Sequence, residues 1–296
     1  MPSATELLFA LGLGERVVAV THECDHPERV TRLPRLTRSM IAAGLDPAET
    51  DAAVRDRVGA GKSLYALDSD RLADLEPDLI VTQSVCEVCA VSSDDVRAIA
   101  GRIASQPDVL SLDPSWLGEV LDNAVTLAEA AGEPAAGAGL RAALDARISA
   151  VRDATRGVER HSVLALEWLD PPYTGGHWVP EMIAAAGGVD VLGTEPGARS
   201  RQLGWEEVGE TSPDVVMVMP CGLYAAEAEA EANRHLPRLA SLGAKAIFAV
   251  DAASSFSRPG PRLADGVELL GHLLHPDLVQ EPTNLEWRPV RVPATR

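Results

Sequence analysis

The chain has 296 residues, 46% of them apolar, which fits about two globular domains and argues against long-range disorder. Forty-four acidic residues against 26 basic ones leave a formal charge of −18, which excludes a basic nucleic-acid-binding face and docking on an anionic membrane. Only Lys62 and Lys245 among the basic residues are lysines, and aromatic residues make up 4%.

The opening Met1-Pro2-Ser3-Ala4-Thr5-Glu6 has neither the basic start nor the unbroken apolar run of a secretory signal. No later window reaches the roughly 18 apolar residues of a membrane span. A cytoplasmic protein with no membrane insertion is therefore expected. In that compartment Cys24, Cys86, Cys89 and Cys221 are thiols, metal ligands or redox groups rather than structural disulfides.

In chain order, Ser3-Ala4-Thr5-Glu6 reads as a helix N-cap followed by an acidic first turn, its amides open to an anionic or amide group of a ligand. Residues 16–21, 78–83 and 108–112 read as strands. Residues 115–131 place Leu117, Val120, Leu121, Ala124, Leu127, Ala128 and Ala131 on one helical stripe, and Gly132-Glu133-Pro134 stops that helix and starts another. The second runs to about Arg156 with Leu140, Leu144, Ile148 and Val151 inward. Residues 163–168, 214–219 and 246–250 are the later strands. These strands are nearly continuous apolar runs, the pattern of parallel strands buried on both faces, and helices separate them as in βαβ units. The expected organisation is an α/β lobe over 1–114, a helical connector over 115–157 and a second α/β lobe over 158–296.

The halves repeat one another. Leu75-Glu76-Pro77-Asp78 before one strand matches Thr211-Ser212-Pro213-Asp214 before another, and each of those strands leads to a cysteine. Residues 5–20 give helix, glycine turn and strand, and residues 178–192 repeat that order through Gly187-Gly188.

In open parallel sheets ligands sit beyond the carboxyl ends of the strands. The unusual clusters fall there. They are residues 21–26 with His22, Cys24 and His26, residues 83–89 with Cys86 and Cys89, residues 167–178 with Trp168, Tyr173, Thr174, His177 and Trp178, and the loops at Cys221 and at Phe256 and Arg258. The aromatic residues Trp168, Tyr173, Trp178 and Phe256 form either a stacking wall for a flat ligand or ordinary packing. His22, Cys24, Cys86, Cys89 and Cys221 form either a soft-metal set for zinc, iron or an iron–sulfur cluster, or small buried residues near strand ends. His161 and His235 read as surface residues. A dinucleotide fingerprint, a Walker loop, a GxSxG elbow and an HExxH helix are all missing.

Pro2-Ser3-Ala4-Thr5-Glu6, Pro171-Pro172-Tyr173-Thr174-Gly175-Gly176 with Ala186-Gly187-Gly188, and Phe256-Ser257-Arg258-Pro259-Gly260-Pro261-Arg262 resemble the vitamin B12-binding family. These are the substrate-binding components of ABC importers for cobalamin, haem and iron–siderophores. The resemblance spans nearly the whole chain. It implies an α/β fold of two Rossmann-like lobes joined by a long rigid helix, with a metal chelate, a corrinoid such as cobalamin, held in the cleft between them. Carried over residue by residue, Ser3, Thr5, Tyr173, Thr174, Phe256 and Arg258 lie on the ligand-facing loops. Three departures accompany it. The family's first lobe opens with a strand ahead of the Ser3–Thr5 loop, and omitting a buried strand exposes a sheet edge. The lack of a signal argues against an ABC permease as partner. Residues 22–26 and 86–89 lie outside the importer pattern and resemble a signal-less subgroup. The alternative function is a metalloenzyme or metal-handling protein built on the Cys/His set.

Overall fold

In the computed structural model, which describes residues 1–83, 93–283 and 285–293, Pro2 opens α1 (Pro2–Ala10) and Gly12, at φ 79°, turns the chain after it. Proline suits a first helical position because its missing N–H has no partner to lose there. Met1 is the N-cap, so Ser3 and Thr5 lie inside the helix instead of capping it, and both are buried.

The strand expected over residues 16–21 does not form. Gly14–Arg16 is a 3-10 turn, and only Val20 finds a neighbour, a parallel bridge to Arg35. A strand needs a partner along its length to satisfy its backbone, and here Val20 alone has one: its N–H donates to Pro34 and its carbonyl accepts from Leu36. β1 (Thr37–Ser39) follows, then α2 (Pro47–Gly59), where Asp46 and Glu49 form a reciprocal capping box, then β2 (Tyr65–Leu67), antiparallel to β1. α3 (Ser69–Asp74) leads to β3 (Leu79–Thr82), and α4 (Ser93–Ala100) leads to β4 (Asp108–Ser111), parallel to β3.

Two long helices come next, α5 (Leu117–Ala130) and α6 (Pro134–Ala154), with Gly132 at φ 78° between them. The stripe read from the sequence is inward: Leu117, Val120, Leu121, Ala124, Leu127 and Ala128 are buried. Gly137 permits close approach of the two helices, since a Cβ there would lie 2.6 Å from that of Ala128.

The remaining elements are β5 (His161–Leu169), β6 (Pro172–Thr174), α7 (Val179–Ala185), β7 (Gly188–Asp190), α8 (Trp205–Gly209), β8 (Val215–Val218), α9 (Ala225–Arg234), α10 (Leu236–Ser241), β9 (Ala246–Val250), α11 (Ala252–Ser255), α12 (Leu263–Leu274) and β10 (Trp287–Pro289). They form a six-stranded mixed sheet of order β10-β9-β8-β5-β6, with β7 also on β5. β5, β7, β8 and β9 are parallel, and β6 and β10 run antiparallel to their neighbours. Its core includes Leu164, Leu166, Val216, Val218, Ala228, Leu239, Ile247 and Ala249. Asp214 ties three strand starts together: Ser162 donates to it through N–H and Oγ at 2.9 and 2.8 Å, and Lys245 Nζ lies 2.8 Å away. These donors hold its carboxyl well below the usual carboxylate range.

The fold class is therefore α/β, as expected. The chain divides into two compact units, Met1–Pro114 with Val120–Ala142, and Ser115–Glu119 with Ala143–Arg296. Among the described residues no helix is long and apolar enough to cross a membrane.

Candidate functional site

In the second unit the carboxyl end of β5 delivers Glu167 and Trp168, and the chain doubles back at once through β6. Trp168 and Tyr173 are register partners on these antiparallel strands, so their side chains share one face. Both are half-buried. Trp168 Nε1 donates to the Asp170 carbonyl at 3.1 Å, and Tyr173 Oη donates to Gln202 Oε1 at 3.3 Å. Each polar tip is thereby tied down beside an aromatic surface.

Glu167 sits where the β5–β6 register shifts between Leu166 and Trp168. Ser200 Oγ donates to its Oε2, and the Gly176 N–H donates to its Oε1 at 3.2 Å. Burial pushes the carboxyl up to about 7, against the two hydrogen bonds, which favour the charged form. Gly176 is required sterically, because a Cβ there would lie 2.3 Å from the Ser200 nitrogen. Thr174, fully buried, binds the same segment: its N–H donates to the Arg201 carbonyl, and its Oγ1 accepts from the Arg201 N–H at 2.9 Å.

His177 follows in the left-handed region at φ 53°, held by its N–H to Ala198 O and by Gly197 N–H to its carbonyl. Its ring sits 5.5 Å from that of Trp178, and its Nδ1 is buried with no protein partner among the described residues. Burial, reinforced by the Arg199 charge, holds this imidazole below its ordinary pKa. Trp178 Nε1 donates to the Phe256 carbonyl at 2.7 Å. Both rings are buried, at 6% and 2% exposure, so of the four expected stacking residues Trp168 and Tyr173 are accessible while Trp178 and Phe256 are packed inside. Arg258 is half-buried on the adjoining loop. Cys221 is exposed, its N–H donating to the Glu167 carbonyl at 2.9 Å, and the Gly222 N–H reaches Ser257 Oγ at 3.4 Å.

In the first unit Thr5 Oγ1 and Thr21 Oγ1 lie 3.3 and 3.2 Å from Cys24 Sγ, and the sulfur is buried. His22 Nδ1 lies 2.7 Å from Thr37 Oγ1, its ring is 5.4 Å from that of Tyr65, and burial lowers its pKa. Cys86 and Cys89 lie outside the described residues. Among the described residues no three His, Cys, Asp or Glu side chains are grouped to hold a metal ion. His235 is not a surface residue: it stacks on Trp205 at 5.8 Å and reaches Glu231 Oε1 at 3.2 Å. His161 packs 5.1 Å from the buried His275.

Glu167 and Ser200 are the residues that sequence reasoning passed over. A single acid within an otherwise apolar strand is a readable signal for Glu167. Nothing local marks Ser200, which comes from a loop 33 residues away.

Strand ends that carry Trp168 and Tyr173 as partly exposed register partners, on a sheet with a parallel core, form a candidate ligand surface on a protein of the α/β class. The chain belongs to the periplasmic binding protein family, whose model matches residues 1–244. It is 23% identical over 274 residues to the vitamin B12-binding protein of Vibrio cholerae serotype O1, covering 90% of this chain and 84% of that one. It is 23% identical over 292 residues to the ABC transporter substrate-binding lipoprotein YvrC of Bacillus subtilis, covering 95% and 80%. Among solved structures, the vitamin B12-binding protein BtuF of Vibrio cholerae superposes with a TM-score of 0.66 at 20% identity, covering 93% of this chain and 94% of that one. The haem-binding protein RhuT from Roseiflexus sp. RS-1 gives 0.66 at 25% identity, covering 92% and 94%.

Proposed function

We propose that this protein binds a corrinoid, cobalamin or a close chelate, against the strand-end loops of the second unit. The observation that carries the reading is the pairing of Trp168 and Tyr173 on one face within a chain of this family. Relatives named for vitamin B12 and for haem share a ligand chemistry: a flat, metal-centred macrocycle with a large apolar face. Two adjacent aromatic side chains suit such a face. The charge of −18 favours the corrinoid. Haem carries two carboxylates, which this field repels, whereas a corrinoid periphery is mostly neutral amides. The compartment belongs to the same proposal. A cytoplasmic protein fractionates with cytosolic markers, and release by osmotic shock would count against it.

The test is a visible-spectrum titration of the purified protein with cobinamide and cyanocobalamin. A saturable shift at micromolar protein supports the reading. No shift with either, or a shift with haemin alone, refutes it.

A further inference from the structure

Glu167 and Trp168 are consecutive, and consecutive strand residues ordinarily face opposite sides of a sheet. Here the alternation is broken. Leu166 pairs with Thr174 and Trp168 with Tyr173, so Glu167 is an extra residue in β5, a β-bulge. The bulge leaves Glu167 beside Trp168, opposite Tyr173. Beyond β6, residues 197–203 run antiparallel to it: Tyr173 bridges Gln202, the Thr174 N–H donates to Arg201 O, and the Leu203 N–H donates to Pro172 O. Residues two apart on an extended segment share a face. Ser200 therefore lies on the face of Gln202, which is also that of its bridge partner Tyr173. Glu167 reaches Ser200 beside Gly176, where a side chain would collide with Ser200. One face thus carries Trp168, Tyr173, Gln202 and the Glu167–Ser200 pair. Both members of that pair are half-buried, so a ligand on this face can touch them.

The hydrogen atoms of the pair have two arrangements. With the carboxyl ionised, Ser200 spends its one hydroxyl hydrogen on Glu167 Oε2 and offers a ligand only lone pairs. With the carboxyl protonated, Oε1 is still taken by the Gly176 N–H, and the acid's own hydrogen needs an acceptor. Ser200 Oγ is the acceptor within reach of Oε2. The acid then donates, and the serine hydrogen is released for a ligand. Burial brings the exchange between the two arrangements to about pH 7. The titratable groups on the surrounding elements are Asp170 on the β5–β6 turn, His177 after Gly176, Arg199 and Arg201 beside Ser200, Cys221 after β8 and Arg258 after α11. Arg201 is paired with Glu207, the Arg199 charge acts on His177, and Cys221 meets Glu167 through its backbone N–H. The shift of Glu167 comes from burial, Ser200 and Gly176, with no charged neighbour among its causes.

We propose that Ser200, set by the protonation of Glu167, donates a hydrogen bond to a peripheral carboxamide carbonyl of a corrinoid lying on Trp168 and Tyr173, so that binding takes up a proton. This rests on the corrinoid reading above, and adds to it the group that recognises the ligand's rim and a dependence on pH. A neutral carbonyl suits the pair, because it accepts from the serine and brings no charge toward a carboxyl held in a half-buried site. The ligand favours the protonated pair, so affinity is full below about pH 7 and falls as pH rises through that value.

Calorimetric titration with cyanocobalamin at about pH 6 and about pH 8.5 tests this, since that corrinoid has no group titrating between them. Losing one hydrogen bond to a neutral acceptor should weaken binding about three- to fivefold at the higher pH. Buffers of different ionisation enthalpy should reveal uptake of about a few tenths of a proton near pH 7.5. Glu167→Gln cannot ionise and should bind equally at both pH values. Ser200→Ala should bind at both with the weaker affinity that the parent shows at high pH, its thermal midpoint serving as the check on folding. Parent binding that is independent of pH overturns the proposal and leaves the corrinoid reading standing. A pH dependence that persists in Glu167→Gln also overturns it, because the titrating group is then another, such as His177. No binding at either pH overturns this proposal and the corrinoid reading together.

Discussion

Replacing Glu167 by Gln isolates the most perturbed carboxyl at the candidate site. In the folded protein its pKa is pushed up to about 7 from an ordinary 4.5, first by burial. The folded state therefore holds a proton that the unfolded chain releases between these values, and stability falls as pH rises from about 4.5 to about 7, then levels off. That difference is worth about 3 kcal/mol. Gln cannot ionise, so Glu167→Gln removes that slope. Above pH 7 the variant avoids the buried charge but keeps only a neutral acceptor for Ser200 and Gly176, which returns about 1 kcal/mol. The expected outcome is a variant about 2 kcal/mol more stable than the parent at pH 8 and similar to it at pH 4.5. Urea unfolding at a series of pH values measures both. Parallel stability profiles for the two proteins would refute the assignment of a raised pKa to this residue.

Three further outcomes follow from the same geometry. Gly176→Ala drives a methyl into the Ser200 backbone and should cost about 1–3 kcal/mol, read as a thermal midpoint lowered by several degrees; an unchanged midpoint contradicts the close approach. Native protein treated with a maleimide should be labelled at the exposed Cys221 and spared at the buried Cys24, as mass spectrometry of peptides would show, and fast labelling of Cys24 would contradict its burial against Thr5 and Thr21. Arg147 on α6 makes ion pairs with Asp265 and Glu268 on α12, and the two acids hold the guanidinium fully charged. Its side chain is 39% exposed, so Arg147→Ala should cost only about 1 kcal/mol in denaturant unfolding, and a loss several times larger would contradict this solvent-screened picture.

How far the sequence carried depended on whether an element's partners lie within it. β9 covers the expected residues 246–250, because a short apolar run flanked by polar turns and buried on both faces has one reading. The α5 and α6 stripes were legible for the same reason, since periodicity and the Gly132–Pro134 break are local. Residues 16–21 have an equally good strand pattern and no ladder, because the pattern states a preference and the pairing needs a neighbour. At the site, Trp168 and Tyr173 were legible as aromatics at strand ends. That Trp178 and Phe256 face inward was not, because the two residues meet across 78 positions of the chain, where Trp178 Nε1 donates to the Phe256 carbonyl. The raised pKa of Glu167 was likewise hidden, since Ser200 and Gly176 meet it only in the folded chain.

Corrinoid binding at the second unit's aromatic platform is the central claim, and calorimetric titration of the parent and of a Trp168→Ala variant with cobinamide tests it most directly. The account predicts saturable heat at one equivalent for the parent. It predicts binding weakened about tenfold or more when the aromatic face is removed, with the variant's thermal midpoint little changed because Trp168 is half-exposed. No heat with the parent, or identical affinity in the two proteins, would contradict it.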